Sequence, residues 1–113
     1  MEVFGIPLSM LPDIRYSDEV FGTVTEGCGG LGAIPICGVM GDSHAALFGQ
    51  NCFERGMAKA TYGTGSSIMM NIGGYPMNSA KGLVTSAAWG ASGQVEFVLE
   101  GNINCTGSTI NLT

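Results

Sequence analysis

An α/β fold is what this sequence predicts, on three observations. An apolar run over 34–40 ends at Gly41, with the length and composition of a strand buried inside a sheet. Directly after it, Asp42-Ser43-His44-Ala45-Ala46-Leu47-Phe48 sets a capping-type residue ahead of helix-forming ones, which marks a helix start. Farther on, 57–72 and 84–99 each divide into strand, glycine-bearing turn and strand, the pattern of a hairpin. A strand leading into a helix, followed by hairpins in succession, implies a helix packed on an antiparallel or mixed sheet.

Composition narrows the function classes. The 113 residues suffice for one compact domain but are few for an enzyme that closes around two substrates. With 45% hydrophobic and 12% charged residues, a packed core is expected rather than disorder. The 19 glycines lack the strict period of three of a collagen-like chain, so they serve turns and close backbone approaches. Net charge is -5, and the fixed cations are Arg15, Arg55, Lys59 and Lys81. No basic patch exists to neutralise a nucleic-acid backbone, so any phosphate would be held by N–H groups or a metal ion. Cys28, Cys37, Cys52 and Cys105 have neither C-x-x-C spacing nor paired histidines, and His44 is alone, so no protein metal site is expected. A cationic leader and an apolar run of about 20 residues are both missing from the sequence, so neither secretion nor a membrane is expected, and a cytoplasmic protein with mostly buried free thiols is.

Element by element, residues 1–32 read as loop with a short strand near 20–24, rich in Gly and Pro. The strand at 34–40 and the helix from Asp42 follow, with Arg55 and Gly56 suited to the helix's C-terminal end. The first hairpin pairs 57–61 with 66–72 around Tyr62-Gly63-Thr64-Gly65, and the second pairs 84–89 with 95–99 around 90–94. Met69, Met70 and Trp89 are expected in the core. Beyond Gly101 no single period holds and the pattern runs on to Thr113 without a cap, as expected of a piece of a longer chain.

Two places carry chemistry. Asp42 stands where a strand meets a helix, the side of an α/β sheet on which ligands collect, and the positive helix N-terminus favours its ionised form. An aspartate that only caps the helix would occupy the same place. In Thr61-Tyr62-Gly63-Thr64-Gly65-Ser66-Ser67, glycines expose backbone N–H groups beside several hydroxyls, a composition that can cradle phosphate oxygens. It is neither a Walker A loop nor a dinucleotide fingerprint, and an ordinary hairpin turn would also account for it. Tyr62 suits either stacking on a ring or packing beneath the hairpin, and lone His44 reads as a partly buried helix residue.

Three blocks in order, Gly41-Asp42-Ser43-His44-Ala45-Ala46-Leu47-Phe48-Gly49-Gln50, Gly56-Met57-Ala58-Lys59-Ala60-Thr61-Tyr62-Gly63-Thr64-Gly65 and Leu99-Glu100-Gly101, resemble consecutive segments of the FGGY carbohydrate kinases, most closely their glycerol kinase branch. The resemblance implies a ribonuclease H-like, actin-like ATPase fold, here in part, with a buried strand, a helix and β-hairpins. Residues 1–50 would end the N-terminal substrate-binding domain and 51–113 would begin the C-terminal nucleotide-binding one. It implies ATP and Mg2+, and an acceptor that is glycerol or a related polyol or sugar. Asp42 is then the general base, with Ser43 beside the acceptor; Thr64 and Gly65 meet the ATP phosphates. In the family's A-G-x-x-I-Q segment, Gly107 takes the glycine's place and Asn111 the glutamine's.

The pattern departs from the family in two respects. Ser43 replaces a glutamine that contacts the polyol, which leaves xylulose or another pentulose open as acceptor. The family's N-terminal phosphate loop and its adenosine-binding glycines have no counterpart in these 113 residues, so the isolated chain is expected to lack useful kinase activity, and its uncovered sheet edges to favour a homo-oligomer. A reading of another class remains beside these, a non-catalytic β-rich module in which Asp42 caps and 61–67 turns.

Overall fold

The computed structural model describes residues 2–25, 29–30 and 32–110. Strand-forming residues at 58–62 and 66–73 form the first hairpin, β3 (Ala58–Tyr62) against β4 (Ser66–Gly73), which follows a two-residue ribbon of β1 (Gly22–Thr23) and β2 (Pro35–Ile36). The second hairpin, β5 (Val84–Ala91) with β6 (Gln94–Ile103), turns on Ser92-Gly93 alone, both at positive φ (52° and 77°). That is a type I′ geometry, shorter than the 90–94 link read from sequence, and it matches the twist of the flanking strands. Strand β6 also pairs with β4, which joins the two hairpins into an antiparallel sheet in the order β3-β4-β6-β5.

One face of the sheet is covered by α1 (Asp42–Gly49). Leu47, Met69 and Val98 are fully buried there, with Cys52, Ala88 and Trp89 around them. Trp89 lies on this face, opposite Glu96, just after an extra residue in β5. Ala87 pairs with Phe97, but Trp89 pairs with Glu96, so the bulge at Ala88 rotates the indole to the side opposite Ala87. There it meets the rings of Phe48 and Phe53 edge to face, at 5.4 and 6.2 Å. Met70, one residue from Met69, points to the other face and is exposed, as strand alternation requires.

Helix α1 stops earlier than its composition suggests. Asn51 takes a left-handed φ of 58°; the Cys52 N–H donates to the Leu47 carbonyl and the Asn51 N–H to that of Phe48. These two bonds are a Schellman closure with asparagine in the usual glycine position. Arg55 and Gly56 therefore lie in the following turn, not at the helix end. Asn51→Gly is expected to raise stability by about 0.5 kcal/mol, since glycine adopts this conformation without the Cβ penalty; a lowered melting temperature would contradict this closure.

The apolar run at 34–40 differs most from expectation. Only Pro35–Ile36 pair, with β1, and Ile34, Ile36 and Val39 stay exposed. A continuous apolar run signals a strand with neighbours on both sides, and among the described residues this one has a neighbour on one side only. The N-terminal segment instead straps onto the second hairpin. The Ser17 N–H donates to the Gly90 carbonyl (2.7 Å), the Ser17 carbonyl accepts from Val39 N–H (3.1 Å), and the Ser92 N–H donates to the Asp18 carboxylate (2.8 Å). Of the thiols, Cys52 is buried whereas Cys37 and Cys105 are exposed, contrary to the expected burial; Cys28 lies outside the described residues.

Candidate active site

Asp42 opens α1 as its first helical residue, and the N-cap is Gly41, which makes no side-chain cap bond. The expected capping role therefore does not fall to the Asp42 side chain: its Oδ1 accepts the neighbouring Ser43 N–H at 2.6 Å. The carboxylate is exposed, at the positive end of a helix. Ser43 and His44 are half-buried, and His44 Nε2 shares a 3.2 Å hydrogen bond with Ser86 Oγ of β5. Tyr62 does not pack beneath the hairpin; it is 81% exposed.

The Gly63-Thr64-Gly65 turn is held from behind by α2 (Gly107–Ile110) and the residue before it. Thr106 and Gly107 N–H donate to the Thr64 and Gly63 carbonyls, both at 3.0 Å, and the Ser108 N–H to Thr64 at 3.3 Å. The chains lie so close that a Cβ on Gly107 would overlap the Gly63 carbonyl oxygen, and one on Gly65 would lie 2.8 Å from that of Ile103. Both glycines thus permit backbone packing, and the Gly107 N–H is already engaged. Gly107→Ala is expected to cost about 2 kcal/mol through this overlap, seen as a lower melting temperature; an unchanged melting temperature would refute the contact. Among the described residues, the Thr64 and Gly65 N–H groups donate to no backbone carbonyl, so they remain open to an anion, as does the exposed Thr64 hydroxyl.

Both motifs border one cavity of about 390 Å³, lined by Ser43, Thr61, Gly65, Ser66, Ser67, Asn102, Ile103 and Asn104. Ser43 brings the α1 start to it and Gly65 brings the turn, while Asp42 and Thr64 adjoin them in the chain. Gly107 stands behind the turn, and Asn111 lies outside the described residues. The lining is hydroxyl and amide with no carboxylate, a surface suited to phosphate oxygens and polyol hydroxyls. A larger cavity of about 830 Å³, between the 13–21 segment, His44 and Trp89, contains none of the motif residues Asp42, Ser43, Thr64 or Gly65. The smaller one is where the two motifs meet.

Asn102, Asn104 and Thr106 escaped notice in the sequence, whereas Thr61, Ser66 and Ser67 belong to the hydroxyl-rich loop already singled out there. Thr61, Ser67 and Asn102 are cross-strand neighbours on one face, Thr61 opposite Ser67 and Ser67 opposite Asn102. Only the registers of β3, β4 and β6 bring them together, though the alternation of Lys59, Thr61 in β3 was a readable signal. Ser66 Oγ and Thr106 Oγ1 share a 2.8 Å hydrogen bond that closes the cavity toward α2.

No family model matches the chain. Among curated proteins it is similar to the glycerol kinase of Aeromonas salmonicida, 50% identical over 110 residues, and to that of Francisella tularensis subsp. holarctica, 49% identical over 110 residues. These matches cover 97% of this chain and 22% of the relative, so the chain spans about a fifth of the length of the proteins it matches. Among solved structures it is similar to Plasmodium falciparum glycerol kinase with ADP, at a TM-score of 0.86 and 35% identity, over 93% of this chain and 21% of that one. Sequence and backbone both match glycerol kinases, and the chain belongs to the FGGY carbohydrate kinases as a segment of the glycerol kinase type, matching part of their actin-like α/β fold.

Proposed function

We propose that the chain is part of an ATP-dependent kinase that phosphorylates a hydroxyl of glycerol or a related polyol. The observation that carries this is the shared cavity, with Ser43 beside Asp42 on one side and Gly65 beside Thr64 on the other. Asp42 accepts the proton of the acceptor hydroxyl as its oxygen bonds to the γ-phosphorus, and the bond from that phosphorus to the bridging oxygen breaks to release ADP. Ser43 borders the acceptor, Thr64 and Gly65 donate to phosphate oxygens, and Gly107 holds the turn in place, with Asn111 next to the nucleotide. The glycerol kinase relatives favour glycerol over a pentulose and over a non-catalytic module.

Residues 1–50 are assigned to the end of the substrate-binding domain and 51–113 to the start of the nucleotide-binding domain. Mg2+ accompanies ATP in this reaction class, but among the described residues no three His, Cys, Asp or Glu side chains cluster. The described residues therefore offer Mg2+ no ligand set of that kind. Among the described residues no helix is long and apolar enough to cross a membrane. A cytoplasmic, self-associating enzyme completes the proposal; self-association is supported by the outer edge of β3, which pairs with no further strand among the described residues.

The test is ADP release by the full-length parent with glycerol, xylulose and ribulose, together with the isolated chain. Turnover is expected with glycerol in the parent and with nothing in the isolated chain. Faster turnover with xylulose would overturn the acceptor, and none with any polyol would overturn the kinase reading.

A further inference from the structure

Lys59 is the one buried cation among the described residues, 3% exposed in the middle of β3. Lysine is almost never fully buried without a partner, because its ammonium loses hydration there. No carboxylate lies within ion-pair distance of it among the described residues. Its Nζ donates one hydrogen bond, at 2.7 Å, to Oγ1 of Thr61, two residues along the same strand face. Thr61 in turn lines the 390 Å³ cavity.

This contact sets the direction of the Thr61 hydroxyl. Lysine has donors only, so the Thr61 oxygen accepts, and its own hydrogen is left for another acceptor. A charged donor behind a hydroxyl also polarises it, strengthening the next bond in the line. We infer that Lys59 is a positioning residue for phosphate: its buried ammonium fixes Thr61 as a donor into the cavity and supplies positive charge to an oxyanion bound there. The inference rests on the kinase reading and deepens it, by placing a cation behind the β3 side of a wall whose Ser67 hydroxyl, on β4, is held by the Glu100 carboxylate at 2.8 Å. The burial of Lys59 is complete within this segment, so it does not depend on any other part of the enzyme.

The experiment uses the full-length parent and measures dissociation constants for ADP and adenosine by calorimetry, alongside the KM for glycerol and the melting temperature. Lys59→Met removes the charge at similar length, Thr61→Val removes the hydroxyl, and Thr61→Ser keeps it. ADP binding is expected to weaken about tenfold in Lys59→Met and in Thr61→Val, with adenosine binding and the glycerol KM unchanged. The double variant should lose little more than either single one, since one residue acts through the other. Thr61→Ser should restore ADP affinity, and Lys59→Met should melt no lower than the parent, because a buried charge has been removed.

Equal loss of ADP and adenosine affinity with a lower melting temperature would make Lys59 a packing residue and overturn the inference. So would unchanged ADP affinity in Lys59→Met while the parent phosphorylates glycerol, an outcome that leaves the kinase reading standing. A parent that binds no ADP would overturn both.

Discussion

Replacing Asp42 by asparagine in the full-length enzyme is expected to lower kcat about a thousandfold, the contribution of a positioned general base. The variant isolates chemistry from folding unusually well. Asparagine keeps the size and the Oδ1 acceptor that now takes the Ser43 N–H, and the N-cap is Gly41, which the substitution leaves alone. The melting temperature should therefore move by no more than about 0.5 kcal/mol in stability terms, and the KM for glycerol should change far less than kcat. A kcat within tenfold of the parent would remove Asp42 from the proton transfer. A large fall in melting temperature would instead mean that the carboxylate supports the start of α1.

The second large effect is expected far from the cavity, at Asn71. Its side chain is fully buried and makes three hydrogen bonds: Nδ2 donates to the Cys52 and Phe53 carbonyls, at 3.0 and 3.2 Å, and Oδ1 accepts from the Gly73 N–H at 2.7 Å. Its backbone adds two more, donating to the Met57 carbonyl and accepting from the Gly56 N–H. One residue thus ties the loop after α1 to the strand that precedes the second hairpin. Asn71→Leu fills the volume but takes the partner from three polar groups, the buried Cys52 carbonyl and the part-buried Phe53 carbonyl and Gly73 N–H, and a group left without a partner on burial costs about 1–3 kcal/mol. A net loss of about 3 kcal/mol is expected after relaxation, which for a domain of ordinary size is roughly 6–12 °C in melting temperature. A shift under 1 °C would mean that water replaces these bonds and that the loop is not held by Asn71.

What could be read from the residues depended on how local the determining physics is. The hairpins were legible because their turns are set by glycines and short polar residues at the turn itself, and α1 because its helix formers follow directly on Gly41-Asp42. The candidate site was legible at Asp42, Ser43, Thr64 and Gly65 because the blocks that carry them resemble known ones. The run at 34–40 was not legible, since its burial depends on what lies over it. Nor was the end of α1, where asparagine does work usually given to glycine. Lys59 was hidden by its own chemistry: a charged residue in a strand reads as solvent-facing, and only the register of β3 against β4 shows it turned inward beside Met69. Gly107 could be matched to a motif, but its fit against Gly63 is a contact between distant parts of the chain.

The extra residue at Ala88 gives β5 one residue of slack in its length. Deleting Ala88 alone would restore regular alternation with Trp89 still opposite Glu96, so the indole would keep its face and its aromatic partners. A pair of residues could not be lost so easily, because the bulge absorbs only one of them and the second would turn part of the strand inside out. Relatives that lack a single residue in this stretch should therefore keep the core around Leu47, and a second loss should be matched within a few positions, either at the Ser92-Gly93 turn or in β6.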